Sequence, residues 1–307
     1  MSEGLSIPNR ADRDDTGEIR IGVVFPQTEI GNTVSDIRAF AVESERMGFR
    51  HLLAYDHVVG GSLAAHEKLR NRYTDKSPFH EVFVLLGYLA AATTTLELVT
   101  GVLILPQRQT VLVAKQAAAV DLLSEGRLRL GVGIGWNDIE YQALNESFSN
   151  RARRFEEQIE LLRKLWSDEV ISFDGNWHAI DSAGIQPLPR QRPIPIWIGA
   201  SAEAAIRRAA RLADGFFPNA RKIEDHRAQL AILHDELDRA GRSRESFGLE
   251  PRITLADGNP DDWRRLFSWW REQSATHLTV NTMGSGFTSV DQHLAALESA
   301  LRAVEGL

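Results

Sequence analysis

Arg127-Leu-Arg-Leu-Gly-Val-Gly-Ile-Gly-Trp136 decides how this chain is read. Leu128, Leu130, Val132 and Ile134 alternate as a strand requires, while Gly131, Gly133 and Gly135 empty the opposite set of positions toward the C-terminal end. A strand sheds side chains in this way where a ligand or another backbone comes close. Two readings therefore stand: a binding surface, or a crowded strand of a closed barrel whose glycines relieve the packing.

Outward from this stretch, strand and helix patterns alternate. Upstream, Val111–Leu123 reads as a helix, Leu96–Leu105 as a strand, Glu81–Ala92 as an apolar helix and Leu52–Tyr55 as a strand. Before them, Ser35–Met47 carries Ile37, Phe40, Ala41 and Ser44 on one helical face and stops at Gly48, and Ile21–Phe25 is a strand ended by Pro26. Downstream, Arg151–Trp166 turns Phe155, Ile159, Leu162, Leu165 and Trp166 toward a core. Between Val170 and Ile180, two extended pieces flank Asp174-Gly175, a hairpin signal with positive φ expected at the turn. Ile194–Ile198 is the next strand, and Ser201 is placed to cap a helix reaching about Leu212. Asp214–Phe217, Phe247–Leu255 and His277–Val280 complete the strands. Between them lie a helix over 222–240 ending at Gly241 and one started by Asn259-Pro260 that carries Trp263, Leu266, Phe267 and Trp270. Val290, Leu294, Leu297, Leu301 and Val304 stripe a final helix.

About eight βα units in 307 residues predict an α/β protein, a (β/α)8 TIM barrel with a small hairpin inserted before the fifth strand. An open doubly wound sheet would carry a glycine fingerprint after its first strand, where Pro26-Gln27-Thr28 stands instead. The expected organisation is one catalytic domain over 20–307 behind a flexible tail over 1–19.

Composition narrows the chemistry. A formal charge of −7 offers no basic footprint for nucleic acid, and the absence of cysteine removes disulfides, thiolate nucleophiles and thiolate metal sites. Met1–Arg20 is polar and no later stretch is a continuous apolar span, so the expectation is a cytoplasmic protein away from membranes. The nine histidines show no ligand spacing and no His-x-His on the first strand, so no metal is expected and a metal-dependent barrel hydrolase is disfavoured. The partner left is a small-molecule substrate.

Barrel chemistry gathers at C-terminal strand ends. His57 ends the second strand, and imidazole titrates near neutrality, so it is the candidate proton donor or acceptor. A lone strand histidine is commonly a hydrogen-bonded structural residue; its place at the mouth argues for chemistry. Asp56 is read as fixing the His57 tautomer or touching a cofactor, or as an ordinary turn or cap. Gly199-Ala200-Ser201 precedes a helix whose free N–H groups suit an anion. Phe25, Trp136 and Tyr141 are read as walls of a substrate pocket, with Glu140 a nearby polar group.

Several strand ends taken together resemble the luciferase-like monooxygenase superfamily. They are Tyr-Asp-His at 55–57, Thr-Gly-Val-Leu-Ile-Leu-Pro at 100–106, the run from Lys115 through Arg127 into Trp136, Arg-Arg-Phe-Glu-Glu at 153–157, Pro-Ile-Trp-Ile-Gly-Ala-Ser at 195–201 and Ala-Asp-Gly-Phe-Phe-Pro at 213–218. More closely, the pattern is similar to the branch dependent on the deazaflavin coenzyme F420. That resemblance implies a bacterial-luciferase-type barrel and hydride transfer between F420 and a small organic substrate. It places His57 beside the reactive ring, Gly101-Val102 in a bulge, often with a cis peptide, behind that ring, and phosphate at Gly199, Ala200 and Ser201. Asp56, Gly133, Gly135 and Asn137 join these as cofactor-binding positions. Some deazaflavin dehydrogenases carry an acidic glutamate where this chain has Trp136, so the sugar-phosphate mechanism does not transfer. The resemblance further implies a homodimer. Its alternative is an FMN-dependent monooxygenase working through a flavin hydroperoxide and a partner reductase, and a non-catalytic barrel homologue is the remaining reading.

Overall fold

The structure is a computed structural model that describes residues 18–70, 72–220 and 222–307. The expected tail over 1–19 therefore lies outside the described residues except for Glu18 and Ile19. Most strands are short and buried on both faces, which is why they read as apolar runs and not as alternating ones. In chain order the first half comprises β1 (Arg20–Val24), α1 (Val34–Arg46), β2 (His51–Ala54), α2 (Val82–Ala92), β3 (Glu97–Thr100), β4 (Leu103–Ile104), α3 (Thr110–Leu123), β5 (Leu128–Gly133), α4 (Asp138–Ala143) and α5 (Arg151–Ser167). The second half comprises β6 (Ile171–Asp174), β7 (Ala179–Ala183), β8 (Ile196–Ala200), α6 (Glu203–Leu212), β9 (Gly215–Pro218), α7 (Ile223–Arg239), β10 (Gly248–Leu249), β11 (Arg252–Thr254), α8 (Pro260–Glu272), β12 (His277–Asn281) and α9 (Val290–Val304).

Neighbouring strands pair in parallel from β10 through β9, β8, β5, β3, β2, β1 and β12 to β11, and β4 pairs with β5. Only Glu250 and Pro251 separate β10 from β11, so these are halves of one strand and the ring closes. Phe40 of α1, Leu86 of α2 and Phe155 of α5 are among the helix side chains fully buried against it.

Three expectations are corrected. The strand foreseen over 96–105 breaks into β3 and β4 at a cis Gly101–Val102 peptide. The one foreseen over 247–255 breaks at Glu250–Pro251, where pairing passes from β9 to β12. The β6–β7 hairpin forms, but Gly175 does not take positive φ; it is glycine because a Cβ would lie 2.5 Å from the Glu157 carboxylate.

The barrel interior holds an ion cluster where apolar side chains usually sit. Arg129 Nε donates to Glu97 at 3.0 Å, its NH1 donates to Glu250, and the guanidinium lies 4.2 Å over the Trp197 ring. His51 Nε2 is 3.0 Å from Glu250 and 2.9 Å from Thr279. Burial opposes ionisation of Glu250, yet Arg129 and His51 outweigh it and hold the carboxyl well below its ordinary range. Burial, with Arg129 beside it, holds His277 neutral, well below the usual imidazole value. Among the described residues, no helix is long and apolar enough to cross a membrane and no group of three or more His, Asp or Glu side chains is arranged to hold a metal ion.

Candidate active site

A cleft of about 500 Å3 opens at the C-terminal strand ends, floored by Gly101, Val102, Gly133 and Gly199 and walled by Tyr55, His57, Arg72, Tyr73, Trp136 and Arg252. The glycines of the deciding stretch have distinct causes. A Cβ on Gly131 would meet the Thr100 carbonyl oxygen at 1.9 Å, so that glycine admits the neighbouring backbone. At Gly133 and Gly199 a Cβ would lie 2.7 and 2.9 Å from the two methyl carbons of Val102. Val102 is thus seated between two bare strand ends, and the bulge it belongs to forms the floor. Gly135 has φ +65°, the left-handed turn that carries the chain toward Trp136.

His57 leaves β2 into an aromatic enclosure. Its ring centroid lies 4.8 Å from Tyr73, 4.9 Å from Phe79 and 6.2 Å from Trp136. Its Nδ1 faces Glu140 Oε2 at 3.3 Å, while Nε2 makes no hydrogen bond among the described residues. Glu140 comes from α4, is 1% exposed, and also accepts from the Val58 and Val59 amides at 2.5 and 3.2 Å and from Gln107 Nε2 at 3.3 Å. Burial opposes its ionisation, but the His57 and amide hydrogen bonds hold the carboxyl below its ordinary range. Burial pushes the Tyr73 phenol up to about 12, so it enters the cleft as a neutral hydroxyl. Arg72 lies 5.0 Å over the Trp136 ring, and Arg252 donates to Tyr55 Oη at 2.9 Å; neither guanidinium meets a carboxylate among the described residues.

The sequence-predicted residues divide. Asp56, His57, Gly101, Val102, Gly133, Gly135, Trp136, Gly199, Ala200 and Ser201 come together around the cleft. The Asp56 carboxylate does not reach His57: it accepts from Arg108 NH2 at 2.7 Å and from the Ile104 amide at 3.1 Å. Burial raises it above the usual carboxylate range, with Arg108 pulling the other way. Phe25 is sealed in the wall, edge-on to Phe40 at 5.7 Å. Tyr141 is also sealed, donating to the Ile134 carbonyl at 2.7 Å. Asn137 lines an adjoining pocket of about 310 Å3 that shares His57 and Tyr73 with the cleft. Ser201 is not the cap of α6; Ala202 is, and it supplies no side-chain acceptor, so the helix opens into the cleft uncapped. Sequence reasoning read Arg72 and Tyr73 only as part of a lid or solvated connection over 58–78, and did not assign roles to Phe79, Gln107 and Arg252. Arg252 alone had a usable signal, since it follows Pro251, where a barrel strand breaks.

A larger pocket of about 860 Å3 lies outside the barrel between α3, α5 and the β6–β7 hairpin. Its Arg108, Arg154 and His178 are already paired with Asp56 and Glu81, with Glu146, and with Glu157. It presents no unengaged titratable side chain comparable to His57.

The sequence profile described as luciferase-like monooxygenase matches residues 1–303, and the chain belongs to that family. An uncharacterised protein of Mycobacterium tuberculosis is 42% identical over 144 residues, 47% of this chain and 49% of that protein. An FMNH2-dependent dimethylsulfone monooxygenase of Pseudomonas putida is 32% identical over 197 residues, 63% of this chain and 51% of that enzyme. The chain thus spans about half the length of the curated relatives it matches. An F420-dependent secondary alcohol dehydrogenase solved with an F420–acetone adduct shares the fold, with a TM-score of 0.76 at 15% identity over 94% of this chain and 99% of that one. DmoA from Hyphomicrobium sulfonivorans does so with a TM-score of 0.64 at 19% identity over 83% and 67%.

Proposed function

We propose that the chain is an F420-dependent oxidoreductase that moves a hydride between the deazaflavin and a small organic substrate in the cytoplasm. The observation that carries this reading is the glycine floor at Gly101, Gly133 and Gly199 facing an imidazole whose Nε2 meets no hydrogen-bond partner among the described residues. A planar ring would fit such a floor, where the Val102 side chain is seated between Gly133 and Gly199 and Leu53 lies against Gly101. The uncapped start of α6 would receive the anionic tail through backbone N–H groups, and Arg72 and Arg252 add positive charge.

Bound deazaflavin would supply a two-electron hydride carrier. The chain's own contribution is placement, dryness and a proton. His57 exchanges that proton at Nε2, Tyr73, Phe79 and Trp136 restrict water around it, and Trp136, 42% exposed, flanks the substrate's entry. The dimethylsulfone monooxygenase relatives favour a second reading, with FMN and a partner reductase.

Fluorescence titration with each cofactor separates the two. The expected result is tighter binding of F420; tighter binding of FMN replaces the assignment with the second reading, and binding of neither favours a non-catalytic barrel. A homodimer is proposed alongside, since α2 exposes Val84 and α3 exposes Val111, Leu112 and Leu123. Sedimentation at monomer mass would end that proposal.

A further inference from the structure

We infer that Glu140 is the positioning residue of the cleft: its carboxylate holds the His57 ring with the proton on Nδ1, so that Nε2 is the basic nitrogen turned toward substrate. An ionised carboxylate only accepts, so the ring nitrogen 3.3 Å from Oε2 must be the donor. The other oxygen, Oε1, accepts from the amides of Val58 and Val59, the two residues that follow His57. One buried anion therefore fixes both the ring and the backbone that carries it. Gln107 Nε2, 3.3 Å from Oε2, completes its surroundings. The remaining neighbours of the ring, Tyr73, Phe79 and Trp136, touch it as aromatic faces and edges and do not select a tautomer. Asp56, the carboxylate nearest in sequence, is engaged by Arg108 and the Ile104 amide and is not available for the task. The hydrogen bonds that keep Glu140 ionised are the same ones that aim it.

The inference about substrate rests on the proposed function; the tautomer does not. The test is nitrogen NMR of histidine-labelled protein, with the His57 signals assigned by their loss in His57→Gln. For the neutral ring, the expected wild-type spectrum has Nδ1 protonated and Nε2 bare. Glu140→Gln is the decisive variant. Its single oxygen stays with the Val58 and Val59 amides, so its NH2 faces the ring, Nδ1 becomes the acceptor and the proton moves to Nε2. A residue with only a structural role would leave the tautomer unchanged in this isosteric variant. Turnover should then fall on the order of a hundredfold or more, with KM little changed. A wild-type ring protonated on Nε2, or identical ring spectra in wild type and Glu140→Gln, overturns the inference. The expected spectra without F420 binding would sink the cofactor assignment and leave Glu140's role standing.

Discussion

The barrel holds charge in two places, and treats it oppositely. Inside, Arg129, Glu97, Glu250, His51 and Thr279 answer one another, and Arg129 is only 2% exposed. At the mouth, among the described residues, His57 has one nitrogen engaged and one unengaged, and Arg72 and Arg252 face the cleft without carboxylate partners. A sealed ion cluster is costly to break because the partner left behind stays desolvated. Open groups contribute little to folding and are available for a ligand. The comparison teaches that charge in this fold marks architecture at one level and chemistry at the next, with His57 six residues beyond His51 and Arg252 two beyond Glu250.

Each region can be broken separately. Arg129→Met leaves Glu97 and Glu250 buried without their cation, and denaturant unfolding should show a loss of about 3–5 kcal/mol, or failure to fold. A loss under about 1 kcal/mol would mean that the interior ions are not structural. His57→Ala should do the reverse. Turnover on whichever alcohol, carbonyl or alkene substrate is accepted should fall about 10²- to 10⁴-fold with cofactor affinity and melting temperature nearly unchanged, and unchanged turnover removes His57 from the chemistry.

Acid should attack the interior first. His277 is held neutral in the fold, so below its unfolded value of about 6.5 the unfolded chain binds a proton that the native chain refuses. Its contribution is complete above that pH and is lost as pH falls; His226, His234 and His293, also lowered by burial, act in the same direction. Glu250 extends the loss below about pH 4.3, its unfolded value. The melting temperature should therefore decline from near pH 6.5 downward, with a shallower decline in His277→Gln; a flat profile to pH 5 contradicts this account.

The smallest effect is expected at the floor. In Gly199→Val the new Cβ would meet Val102 at 2.9 Å, and displacing that side chain into the cleft should weaken cofactor binding by about ten- to a hundredfold, as overpacking of about 1–3 kcal/mol would. Titration showing wild-type affinity would place the ring elsewhere.

The order of strands and helices was legible because short apolar runs mark strands buried on both faces and a period of 3.6 marks helices with one buried face, and Asn259-Pro260 was recognisable as a helix start, realised as a capping box with Asp262. His57 and the glycines of the floor were legible from the barrel rule. What escaped was the pairing. Strand ends name stretches, not side-chain partners: Tyr55, Asp56 and His57 all border the cleft, but the Asp56 carboxylate is taken up by Arg108 and not by His57. Tyr141 escaped because α4 is only six residues long and shows no period, and its hydroxyl folds back on the Ile134 carbonyl. Arg72, Tyr73 and Phe79 are delivered by a long connection whose path no local pattern encodes.

The break at Glu250–Pro251 carries a last consequence. Upstream of it the seventh strand registers on β9, downstream on β12, and within three residues the chain supplies an anion to the sealed cluster and a cation to the opening. A one-residue insertion or deletion at that seam would mis-seat Glu250 and Arg252 together. Redesign of substrate preference through Arg252 must therefore proceed by exchange of side chains, since altering the length of this segment would unbuild the barrel that the new pocket depends on.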